Sequence, residues 1–109
     1  MTTELNNAGA VVNLNTRQGI DFLLSLGVDD QKGQPVDLTD FTAEAILDDG
    51  AAQHVLETTI TADMVSLRIP GTLTASLPEL SRYSVEIVSQ DGIRSSLCYG
   101  SVSVDGGYP

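Results

Sequence analysis

The chain has 109 residues, the size of one ordinary domain, with no room for a second core. Fifteen acidic residues against five basic ones give a formal net charge of −10, and a surface of that sign repels phosphate backbones, which excludes nucleic acid as an expected partner. A single cysteine, Cys98, rules out an intrachain disulfide, so the fold must rest on apolar packing and backbone ladders, and folding inside a cell is expected.

No apolar run approaches the roughly 20 residues of a membrane span. Residues 1–9 lack the basic start and apolar stretch of a secretory signal, so a soluble, unexported protein with no membrane partner is expected. The aspartates are scattered through short polar stretches and not gathered in a block, which marks them as turn residues and solvated surface.

In chain order, apolar and polar residues alternate over short stretches, and helical i, i+3, i+4 spacing is nearly absent. A short strand is expected over residues 10–14. The clearest strand covers residues 20–28, where Ile20, Phe22, Leu24, Leu26 and Val28 share one face by the two-residue period. Asp29-Asp30-Gln31-Lys32-Gly33 reads as its turn. Residues 35–38 form an expected edge segment, because Pro35 lacks the amide proton that a central ladder needs.

Residues 41–47 resume the alternation. Asp48-Asp49-Gly50 is a turn signal leading to a hairpin partner over residues 54–60, and a further strand covers residues 64–69 before Pro70-Gly71. Residues 72–80 hold the one stretch fit for a helical turn, with Thr72 or Thr74 as cap and Leu73, Leu77 and Leu80 inward. Strands over residues 83–88 and 94–104, joined at Gln90-Asp91-Gly92, complete seven or eight.

That spacing predicts an all-β, immunoglobulin-like antiparallel sandwich. Tyr83, at the entry to a late strand, suits either a tyrosine corner, with its ring buried and its hydroxyl on upstream backbone, or a plain core position. Gly100, inside an alternating strand, marks a bulge or a close backbone approach. The domain is drawn as residues 10–105, with an N-terminal arm over 1–9 and a tail over 106–109.

Several segments together resemble a known family. They are Arg17-Gln18-Gly19 before Asp21-Phe22, Gly33-Gln34-Pro35-Val36-Asp37-Leu38-Thr39-Asp40-Phe41-Thr42-Ala43, the corner over residues 77–83, and Tyr99-Gly100-Ser101-Val102-Ser103-Val104. Over residues 17–104 the chain resembles the small immunoglobulin-like domains of tailed-bacteriophage virions, found at the N-terminus of baseplate upper proteins and as free-standing virion proteins. The resemblance implies a non-enzymatic building block located in the virion and assembled in the host cytoplasm. Its partners would be tail, fibre, connector or capsid subunits, and it carries no catalytic residues over.

The sequence stops at Pro109 without a coiled coil or receptor-binding region, so a tail-associated adaptor or fibre-attachment component is expected. A capsid decoration protein is the neighbouring alternative, separated by copy number. A cellular carbohydrate- or peptide-binding sandwich would need a concave aromatic patch.

The residues capable of chemistry are few. His54 is the only histidine and no Gly-x-Ser-x-Gly pattern occurs, so no triad is expected. Cys98 lies in an alternating strand and reads as a small buried hydrophobe. One Cys and one His cannot supply four zinc ligands, and no cofactor is expected. The sharper alternative is calcium, with Asp29, Asp30, Asp37 and Asp40 converging around one loop, set against turn-capping aspartates.

Asn6, Asn7, Val11 and Val12 at one end and Tyr108 at the other are the expected interaction residues. They would belong to terminal arms laid on a neighbouring subunit of a symmetric oligomer, adding main-chain bonds to a sheet edge; packing on the chain's own domain is the alternative.

Overall fold

The computed structural model describes residues 10–30 and 32–106, and among them it places eight strands and one helical turn. The strands are β1 (Ala10–Val11), β2 (Leu14–Arg17), β3 (Phe22–Gly27), β4 (Thr42–Asp48), β5 (Gln53–Thr61), β6 (Met64–Ile69), β7 (Leu80–Val88) and β8 (Arg94–Asp105), with α1 (Gly71–Thr74) between β6 and β7.

They form two layers. The larger runs from β1 and β2 through β8, β7 and β4 to the first part of β5; the smaller is the remainder of β5, then β6, then β3. β5 changes layer between Leu56, which opposes Ala45 on β4, and Glu57, which opposes Arg68 on β6. One side of the sandwich is thus closed by a shared strand, while β3 and the β1–β2 edge border the other.

The inward phase of each strand builds one core. Ala45 and Leu47, Val65, Leu67 and Ile69, Tyr83, Val85 and Ile87, and Val102 and Val104 are buried together from both layers. Burying such side chains contributes about 1.5–3 kcal/mol each in transfer terms, and this has to offset the backbone entropy because no cross-link is present. The fold is the expected all-β immunoglobulin-like sandwich. All pairings are antiparallel except those of β1 and β2, which lie parallel on β8.

Details differ from the expected elements for identifiable reasons. Ile20 stays outside β3 and is exposed, since residues 18–21 turn to meet α1. Residues 35–38 form only a single bridge, Asp29 to Pro35, yet Val36 and Leu38 are buried. Their amides donate to the carbonyls of Val28 and Ala62.

The helical turn lacks a threonine cap. Asp21 caps it instead, accepting the Gly71 amide at 2.6 Å, while buried Thr74 accepts the Gly19 amide through its hydroxyl. Leu80 is 62% exposed, because β7 already starts there with Ser81 and Tyr83 in the inward phase. The bulge in β8 falls not at Gly100 but at Leu97: Val85 opposes Cys98 while Glu86 opposes Ser96, so Leu97 is the extra residue.

Candidate functional site

The outer face of the larger sheet carries one row of register partners that crosses five strands. Val11 on β1 opposes Tyr99 on β8, which opposes Ser84 on β7, Ser84 opposes Ile46 on β4, and Ile46 opposes Val55 on β5. Val11 is 62% exposed, Tyr99 47% and Val55 82%, with Ile46 and Ser84 half-buried between them. Cross-strand partners on one face lie within about 5.5 Å of each other, so the row is a continuous apolar band broken only by a hydroxyl.

Charged rows border the band. On one side Arg94 pairs with both Glu44 and Glu86, the latter at 2.9 Å; the two carboxylates, Glu44 first, hold the guanidinium above its ordinary pKa. On the other side Arg82 opposes Asp48 on β4 and Ser101 on β8. An apolar centre with a polar rim is the pattern of a protein-docking patch.

One buried contact holds the end of this row. β1 and β2 keep the same register on β8, but the chain kinks between them at Val12 and Asn13. Gly100 sits under the kink, and a Cβ there would lie 2.3 Å from the Val12 carbonyl oxygen. The expected close backbone approach at Gly100 is therefore its role.

The buried Tyr83 hydroxyl donates to the Val12 carbonyl at 2.7 Å. Asn13 Oδ1 stands in for the interrupted ladder by accepting the Ser101 amide at 3.1 Å. Desolvation raises the Tyr83 pKa, so the phenol keeps its proton as the donor.

The alternative calcium cluster of Asp29, Asp30, Asp37 and Asp40 is not assembled among the described residues. Asp30 Oδ1 accepts the Lys32 and Gln34 amides, and Asp37 Oδ1 accepts both the amide and the hydroxyl of Thr39, contacts that lower the Asp37 pKa, the hydroxyl foremost. These carboxylates are spent on their own turns. Among the described residues no group of three or more acidic, His or Cys side chains could share an ion, and Asp29 and Asp40 join no such group.

His54 lies 2.8 Å from Asp49 Oδ2 in the β4–β5 connection, and Asp49 also accepts the Ala51 and Ala52 amides. The histidine contact and then the two amides bring the Asp49 pKa to about 2. Cys98 is buried and burial pushes its thiol upward, away from the reactive thiolate.

Of the expected interaction residues, Asn6, Asn7 and Tyr108 lie outside the described residues. Val11 and Val12 lie on their own sheet. Val12 packs against the core and donates its amide to the Tyr99 carbonyl, whereas the Val11 side chain faces outward in the row.

No protein-family model matches the chain, and no curated protein matches it. Among solved structures it is similar to the Lin-41 filamin domain, with 19% identity over 87% of this chain and 84% of that one and a TM-score of 0.47.

Apart from Val11, the residues of the outer row are not among those expected from the sequence, although a signal exists. Ile46, Val55 and Tyr99 are apolar residues out of phase with the buried positions of their own strands, namely Ala45 and Leu47, Leu56, and Cys98 and Val102. Three such breaks in alternation mark an apolar outer face once the strand order is known.

Proposed function

We propose that this domain is a non-catalytic docking module of a tailed-bacteriophage virion, a tail-associated adaptor or fibre-attachment component that holds other virion proteins. The observation that carries the docking part is the Val11–Tyr99–Ile46–Val55 band, a largely exposed apolar row within a charged rim on the outer face of the larger sheet. The virion part is supported by the sequence resemblance over residues 17–104. A structural role also agrees with the titratable groups, since Asp21, Asp37 and Asp49 are each bound to neighbouring amides and side chains of the fold.

The test is the copy number of this chain relative to the major capsid protein in whole particles of a phage that carries the gene. A small multiple of three or six per particle supports the tail or fibre adaptor. Hundreds of copies assign it instead to capsid decoration, and absence from particles overturns the virion reading.

A further inference from the structure

We propose that the outer face of the larger sheet seats a second copy of this chain, packed face to face about a two-fold axis running along the Val11–Val55 row. The inference rests on reading that face as a docking surface, and it names the occupant.

Charge favours a like partner. The whole chain carries −10, yet the outward positions of the larger sheet hold Arg17, Arg82 and Arg94 against Glu44, Asp48, Glu86 and Asp105, so this face is nearly neutral. The excess acid sits in the connections, at Asp29, Asp30, Asp37, Asp40, Asp63 and Asp91. A basic partner would be drawn there, whereas two copies meet with least repulsion through this face.

The register supplies complementarity. Ser84 is the β7 member of the row, with Glu86 two residues to one side and Arg82 two residues to the other on the same face. A two-fold along the row reverses the strand direction, so Glu86 of each copy comes opposite Arg82 of the other, twice per dimer. Arg82 has no ion pair among the described residues. Tyr99, Ile46 and Val55 meet their own counterparts.

On β4 the same operation brings Glu44 opposite Asp48, a like-charge contact tempered by Arg94 on Glu44 and by Arg82 in register with Asp48. Five strands about 4.8 Å apart and three outward rows bury about 1,000 Å² in total, at the lower end for a specific interface. A reversible, weak dimer is the expected state.

The experiment is sedimentation equilibrium of the full chain up to about 1 mM, where a specific contact of this size is populated. A mass tending to twice 11.5 kDa is expected. Val55→Lys and Tyr99→Lys should each weaken association about tenfold or more while circular dichroism and Tm stay unchanged. Arg82→Glu and Glu86→Arg should each weaken it, and their combination should recover most of the loss.

A monomer throughout, association indifferent to Val55→Lys and Tyr99→Lys, or no recovery in the double variant overturns the proposal. The chain could enter particles as a monomer with Tyr99 and Val55 covered by another virion protein; this inference then fails while the docking reading stands. A dimer with these properties that is absent from particles gives the reverse result.

Discussion

The Tyr83 hydroxyl donates a 2.7 Å hydrogen bond to the Val12 carbonyl, 71 residues earlier in the chain. This contact joins a buried core side chain to the kink between β1 and β2, and β1 holds Val11 at one end of the outer row. Core packing and the candidate docking face are therefore linked through one bond.

Tyr83→Phe keeps the ring and removes only the donor. The loss should be about 1–2 kcal/mol, because the half-buried Val12 carbonyl loses this partner. Urea denaturation measures the total. Hydrogen exchange should localise the effect, with the Val12 amide, bonded to the Tyr99 carbonyl, losing protection before the β7–β8 amides do.

A methyl group at Gly100 attacks the same seam by volume. Gly100→Ala puts a Cβ 2.3 Å from the Val12 oxygen and 2.9 Å from Asn13 Oδ1, so backbone must move. A loss of about 2 kcal/mol or more is expected, as for other overpacked positions. Gly106→Ala is the control, since nothing lies within 4 Å of the added carbon; it should stay within about 0.5 kcal/mol. Equal effects at the two positions would show that the kink is not held by close approach.

Strand phase was legible in the sequence because one face of each strand is buried. Residues 41–47 and 64–69 match β4 and β6 almost residue for residue, and the turns at Gly33, Gly50 and Gly92 all take positive φ. The change of layer within β5 was not legible, since inward and outward positions alternate through Val55, Leu56 and Glu57 with no interruption where the partner strand changes. Nor was the parallel seating of β1 on β8, which depends on contacts between residues 88 apart such as Asn13 and Ser101. For the aspartates the sequence left two readings, turn caps or a shared ion, and Asp30, Asp37, Asp48 and Asp49 each bind amides of their own turn.

Acid should unlock the β4–β5 connection. The folded pKa of Asp49 is about 2 against an ordinary 3.8, so its contribution to stability is fully present above about pH 4 and is lost as pH falls through about 2. Asp49→Asn removes that dependence. The difference in Tm between wild type and variant should shrink as pH falls from about 4 to about 2. Asp21 and Asp37 titrate in both proteins, so their share of the acid limb cancels. A difference that stays constant down to pH 2 would mean that the Asp49 carboxylate gains nothing from His54 and the loop amides.

Ser81 is the inverse case, a polar group that the fold would be better without. It faces inward on β7 opposite Val102, is almost fully buried, and its Oγ has no hydrogen-bond partner among the described residues. A buried hydroxyl without a protein partner costs about 1–3 kcal/mol in desolvation. Ser81→Ala leaves a vacancy of one oxygen atom, whose cavity cost is smaller than that penalty. A net gain of about 1 kcal/mol in urea denaturation, with unchanged m-value, is therefore expected. A loss instead would show that the hydroxyl is satisfied in solution, by a bound water or by rotation onto a neighbouring carbonyl.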